Sequence, residues 1–453
     1  MASNDDLRSR AFRLLDQEVR ALATRLERVK PFALQETMVT AAAPSSRAQA
    51  AIEAHIQKAQ FQLRRQIASY QAWLDTTEAR LAPITRAQRR LTFLRLRFNA
   101  ILSQFDIFAD VMTQRSEHET GVWLRGLDEF AADALSLPGR PFDIPSAICY
   151  LDRGHGAAIR RTRTRLPGGT YNPVAIIRVP RERMIGGSGI GSSVAHEVGH
   201  QGAALLDLVN TLRPELRRMA RKHGPQSQAW LMFERWISEI VADLWAVSRV
   251  GVAGPIGLIG VVSLPRVFVF RGSAGDPHPI PWIRVKLSCA MGKALYPDPQ
   301  WDRLASIWNS FYPLAGLGVE QRQLFNLLES TVDDFASLLM EHRPEALRGA
   351  SLYETLSGKD RRPAALRQLL ERWRSHPHEM QAAPPSLALA TLSQGKSDGI
   401  LSPEAEAQTI SRLLTYWAVT SALGDQASER PRSPLTTPAT PPTSTKYLSG
   451  VLQ

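Results

Sequence analysis

Cysteine is nearly missing from this chain: only Cys149 and Cys289 stand among its 453 residues. Two thiols cannot build a multi-bridge framework, so a disulfide-held secreted fold is excluded and a reducing, cytoplasmic setting is expected. The opening Met1 to Asp6 is polar and acidic and no apolar core follows it, so no secretory signal is read there. Long hydrophobic runs are missing as well. The segment that needs care, Val250 to Leu264, is 15 uncharged residues holding four Gly and one Pro between Arg249 and Arg266. A membrane span wants about 20 apolar residues, so this segment is read as part of a buried core and membrane attachment is not expected. The glycine run Gly186 to Gly191 lacks the Gly-Lys-Ser/Thr ending of a phosphate cradle and is read as a flexible hinge. No internal repeat is found.

An apolar fraction of 44% supports a sizeable core. The net charge of +12 is not focused: residues 1–140 carry 20 basic against 16 acidic side chains. The densest basic stretch, Arg160 to Arg165, has no interleaved aromatic residue and reads as a solvated loop or hairpin, so no nucleic-acid partner is expected. Residues 1–135 hold three apolar stripes at helical spacing: Leu7, Phe12, Leu15, Val19, Leu22 and Leu26; Ile52 to Leu74; and Leu91 to Phe108. With a shorter helix over Glu117–Leu137 they suggest a bundle or antiparallel hairpins, a folding or docking module that could take a protein partner.

Ser136 to Pro141 breaks the pattern and predicts a domain boundary. Two β-type runs, Ala147–Leu151 and Val174–Val179, flank a Gly/Arg-rich connection that suggests a hairpin. Helices are expected over Trp230–Val250 and from Trp282 to Leu295, and again beyond Pro297. The last opens at Ser402-Pro403-Glu404, with serine as cap. From Asp425 the Ser/Thr/Pro-rich composition predicts a disordered tail.

The chemistry concentrates in Ser192-Ser193-Val194-Ala195-His196-Glu197-Val198-Gly199-His200-Gln201. On a helix opened by capping hydroxyls, His196 and His200 lie one turn apart on one face and can converge on one ion, with Glu197 beside it to handle a water. In a chain with ten His residues such a match arises by chance on the order of one time in a hundred. A catalytic zinc needs a third protein ligand and an open position. Glu239 and Asp243, four apart in Ser238-Glu239-Ile240-Val241-Ala242-Asp243, share a helix face. Glu239 can ligate, and Asp243 can accept a hydrogen bond from the far nitrogen of a ligand histidine. His278, in a Pro-rich turn, and Arg284, six residues on, could face the cleft as donors to a developing oxyanion.

Together these three parts resemble the gluzincin metallopeptidases, and the His278-Pro279 to Arg284 part is similar to that of the CAAX prenyl endopeptidase and HtpX heat-shock protease family. The likeness covers about residues 174–295. It implies zinc ligands at His196, His200 and Glu239, a general base at Glu197, an outer acid at Asp243, and oxyanion or substrate contacts at His278 and Arg284. The expected fold is mainly α (α+β), a zincin-like core at 141–297 with a small sheet. It is flanked by an N-terminal helical module at 1–135, a C-terminal helical region at 298–424 and a tail at 425–453. The expected activity is hydrolysis of protein or peptide substrates, held in extended form along an edge strand at Val174–Val179. Two rival readings are a zinc-stabilised scaffold without catalysis and a membrane-associated regulatory protease.

Overall fold

The computed structural model describes residues 4–32, 37–154, 156–181, 186–272 and 275–429, and among these the chain is mainly helical with one small sheet. Three long helices form where the stripes predict them: α1 (Asn4–Glu27), α2 (Ser46–Leu74) and α4 (Ile84–Thr113), with the short α3 (Thr77–Leu81) before the last. Ser45 caps α2 by accepting from the Ala48 amide. Val19, Leu22 and Leu26 pack with Ile52, Ile56, Leu63, Leu91, Leu94 and Phe98, whereas Leu7, at the start of the first stripe, is exposed.

The fourth expected member of that bundle goes elsewhere. Helix α5 (His118–Leu135) buries Leu124 to Asp128, Phe130, Ala131 and Ala134, a surface wider than one bundle-facing stripe, and it sits in the other, larger core. The expected boundary after residue 135 therefore does not separate the two cores.

The sheet lies between them. Strand β1 (Ala147–Asp152) pairs in parallel with β3 (Ala175–Pro180), and β2 (Ala158–Arg160) pairs antiparallel with β3, in the order β1-β3-β2. The two apolar runs are thus parallel neighbours rather than the arms of a hairpin, and their connection contributes β2. Strand alternation sends Ile148 and Ile176 to the N-terminal helices and Ala147, Cys149, Leu151, Ala175, Ile177 and Val179 to the main core. Burial on both faces explains why these runs read as continuous apolar stretches. Pairing with both β1 and β2 makes β3 the central strand rather than the expected edge strand, and the edge strand at the cleft is β2.

The main core is built on α6 (Ser192–Leu205), α7 (Leu208–Lys222), α8 (Ser227–Val250), α9 (Ala253–Val262), α10 (Arg266–Val269) and α11 (Pro281–Leu295). The rest of the chain adds α12 (Gln300–Phe311), α13 (Val319–Glu341), α14 (Leu352–Leu356), α15 (Pro363–Ser375), α16 (Pro377–Ala382), α17 (Pro385–Ser397) and α18 (Pro403–Glu429). Residues of α13, α15, α17 and α18 share one apolar cluster with α6, α8 and the sheet, so the C-terminal region has no core of its own. Buried α17 packs on α8 and α5, and α18 lies along α5. The contact is close: a Cβ on Gly126 would stand 2.2 Å from the Leu414 carbonyl oxygen.

Helix α18 continues to Glu429, past Asp425 where a disordered tail was expected to begin, because buried Arg125 bonds Asp425 and Ser421 on it. The remainder of the expected tail, 430–453, lies outside the described residues. Among the described residues no helix is long and apolar enough to cross a membrane. The segment around α9 buries Ala253, Gly254, Pro255, Gly257 and Leu258 instead.

Candidate metal centre

Two helices make the site, and glycine lets them touch. A Cβ on Gly199 would meet Trp245 Cβ at 2.7 Å and Ala242 Cα at 2.9 Å, and one on Gly202 would meet the Trp245 ring at 2.4 Å. The Gly199 and Gly202 positions on α6 therefore let it lie directly on α8, which brings His196 and His200 against Glu239 and Asp243. The start of α6 differs from expectation. Its hydroxyls do not cap it: Ser192 Oγ donates to the Gly254 carbonyl at 3.3 Å and Ser193 Oγ to that of Gly189 at 2.8 Å. The glycine run is no loose hinge either. Gly187–Gly191 form a π-helical turn, and a Cβ on Gly191 would stand 2.7 Å from Leu389 Cδ2.

One donor atom from each of His196, His200 and Glu239 lies within 4.8 Å of the others. Donors bound to one zinc at about 2.1 Å in a tetrahedron stand roughly 3.4 Å apart. His196 Nε2 is 3.4 Å from one Glu239 oxygen and His200 Nε2 is 3.5 Å from the other, separations of the size such an ion would impose. His196 Nδ1 meets Asp243 Oδ1 at 2.8 Å, which fixes the ring and turns Nε2 towards Glu239.

The charges around this point are strongly coupled. Burial alone would lower the His196 pKa, but the hydrogen bond and charge of Asp243, then Glu239 and Glu197, raise it to about 10. Burial and the neighbouring His196 lower that of His200 to about 4. Burial would raise Glu239 and Asp243. His196 outweighs it for Glu239, bringing the carboxyl to about 2, and Arg284 and His196 hold Asp243 well below the usual carboxylate range. Glu197 moves the other way: burial lifts its pKa to about 6, opposed by His196 and assisted by Glu239.

Arg284 is buried beneath the donors. Its Nε donates to Asp243 Oδ2 at 2.7 Å and its Nη2 to Asp243 Oδ1 at 3.0 Å and Glu239 Oε2 at 3.3 Å. His278, by contrast, is half-exposed at the rim, with Nε2 3.5 Å from Glu239 Oε2. Asp276 was not singled out by its sequence. Its Oδ1 accepts from the His278 amide at 3.0 Å and meets His278 Nδ1 at 2.7 Å. The Asp-Pro-His order, an aspartate two residues ahead of a histidine in a turn, was the available signal.

The centre opens into a cleft of about 860 Å³. One wall is β2, through Ala158 and Ile159; another is apolar, from Leu258, Val261, Val262 and Leu264. Gln201, one residue beyond His200, ties β2 to α6 by accepting from the Thr162 amide at 2.9 Å and its hydroxyl at 3.2 Å. The other described histidines lie outside this centre: His55 pairs with Gln104 and His342 with Thr211. Cys149 and Cys289 are both buried and unpaired.

No family model matches the chain, and no curated protein or solved structure matches it either.

Proposed function

We propose that the chain is a zinc-dependent endopeptidase of gluzincin type, with His196, His200 and Glu239 as ligands and Glu197 as general base. The supporting observation is the set of three converging donors with a buried carboxyl of raised pKa beside it. Zinc held there would polarise a scissile carbonyl and bring the pKa of its water towards 7. Glu197 takes the water proton and passes it to the leaving amine. His278 donates from Nε2 to the developing oxyanion. Asp276 Oδ1, 2.7 Å from His278 Nδ1, holds the ring with Nε2 turned towards the donor set. Arg284 acts through Asp243 and Glu239 rather than on substrate. An extended peptide pairs with β2, the strand that ends the sheet at the cleft. Buried free cysteines suit a cytoplasmic setting.

The purified protein is expected to carry about one zinc per chain. Cleavage of an unstructured polypeptide should be abolished by chelation and restored by zinc. Absence of bound zinc together with chelator-resistant cleavage would overturn the reading.

Zinc uptake should also depend on pH with a definite sign. In the metal-free protein the His196 pKa is raised from 6.5 to about 10, so its proton stabilises the fold fully below pH 6.5 and that contribution is lost as pH rises through 10. A metal must displace this proton, so at pH 8 binding should release about one proton per zinc from His196, in addition to the one given up by the zinc-bound water. Calorimetric titration in buffers of different ionisation enthalpy measures this number. A value no greater than the water's own would mean that His196 is not a ligand.

A further inference from the structure

The turn that leads into α6 is held from the far end of the chain. Glu406, on the first turn of α18, is only 1% exposed, and its Oε1 accepts from the Gly187 amide at 3.2 Å and from Ser393 Oγ at 2.8 Å. Its Oε2 pairs with Lys396 Nζ at 2.6 Å, and that ammonium also donates to Ser188 Oγ at 2.7 Å. Ser393 and Lys396 belong to α17. The fit leaves no slack: a Cβ on Gly186 would meet Glu406 Oε2 at 2.6 Å, and one on Gly187 would meet Ser393 Oγ at 1.9 Å. Gly186 has a φ of 73°, a conformation that side chains rarely adopt. On its other side the turn abuts α9, where a Cβ on Gly257 would meet the Ser188 carbonyl oxygen at 2.3 Å.

A largely buried lysine–glutamate pair, here with Glu406 buried and Lys396 partly so, is weak evidence for stability, since apolar residues of similar volume often serve as well or better. What this pair adds is position. It bonds the Gly187 amide and the Ser188 hydroxyl, between two and three helical turns ahead of His196 and Glu197. We infer that Glu406 and Lys396 are positioning residues, which clamp the entry of α6 so that His196 keeps its reach to Glu239 and Glu197 its place beside the donor set. The inference rests on the peptidase reading for its catalytic consequence and on the contacts alone for its structural one.

Two double variants of the full chain separate position from stability. Lys396→Met with Glu406→Leu removes both charges and the acceptor, while Lys396→Met with Glu406→Gln removes the charges but keeps an acceptor for Gly187. In the zinc-loaded protein, hydrogen exchange of amides 187–195 should be faster by about tenfold in the leucine variant, one hydrogen bond's worth. The melting temperature should stay within a few degrees of wild type. Its kcat should fall about 10- to 100-fold at unchanged KM, as for a small misplacement of reacting groups. The glutamine variant should recover most of both. Wild-type exchange in the leucine variant overturns the clamp, and faster exchange with unchanged kcat overturns its role in positioning. Should the leucine variant fail to fold, the same two readouts, with the same expectations, are taken from Lys396→Met with Glu406→Ala, which also removes the acceptor for Gly187. Exchange needs no substrate, so it decides the clamp even if wild type proves to cleave nothing, a result that would instead count against the peptidase reading.

Discussion

On the proposed zinc-peptidase reading, glutamine in place of Glu197 should leave the zinc content of the protein unchanged and lower cleavage by about 100- to 10,000-fold in kcat, the range supplied by a positioned general base. The two side chains have nearly the same shape, and Glu197 is not one of the three converging donors, so neither packing nor the metal set is disturbed. What changes is basicity. The buried carboxyl has a pKa lifted to about 6, close enough to neutral pH to be ionised there and still hold a transferred proton. An amide can do neither. Metal analysis and steady-state cleavage on the two proteins side by side provide the check. Equal activity would remove Glu197 from the mechanism. Zinc-loaded wild type that cleaves no member of a broad peptide library would favour the scaffold reading.

The parts of this site that depend on local spacing were legible in the sequence. His196 and His200, and Glu239 and Asp243, lie four apart on helices, so each pair shares a face whatever the rest of the chain does. The long N-terminal helices were legible for the same reason. Parts that depend on contacts between distant segments were not. Nothing within Ala147–Asp152 or Ala175–Pro180 says that they pair in parallel with β2 on the outside, since register is set by what packs on both faces. The glycines of Gly186–Gly191 read as freedom in one dimension, but in three they are the space occupied by Leu389, Ser393 and Glu406, some 200 residues away. Helix α5 has the period of a bundle helix, and its wide buried surface comes from distant elements, α18 along one side with α6, α17 and β1 on others. Arg284 carried the same ambiguity: a charged residue early in a helix gives no sign that its guanidinium is buried under two carboxylates.

That burial sets apart two residues which sequence alone had grouped. Arg284→Ala should damage the fold and the metal site, while His278→Phe should damage only turnover. Removing Arg284 leaves Asp243 and Glu239 buried with one cation fewer, and stripping one partner from a buried pair costs about 3–5 kcal/mol. The pH dependence follows from the sign of the Asp243 shift. Its folded pKa is depressed, so the stability it contributes is present above its unfolded value of 3.8 and is lost as pH falls through the folded pKa. The gap in melting temperature between wild type and Arg284→Ala should therefore be wide at pH 7 and narrow towards pH 3. Zinc affinity should fall with it, because Glu239 and the partner of His196 both lose their anchor. His278 is half-exposed at the rim and bonds only the turn it sits in and the edge of the donor set. Its replacement should keep melting temperature and zinc affinity, and lower kcat and kcat/KM together by about 100- to 1,000-fold, as for loss of one oxyanion donor. Melting curves at two pH values, a zinc competition titration and steady-state kinetics on both variants test the division. If Arg284→Ala melts and binds zinc like wild type while losing turnover, its guanidinium serves the transition state directly and the positioning role assigned to it is wrong.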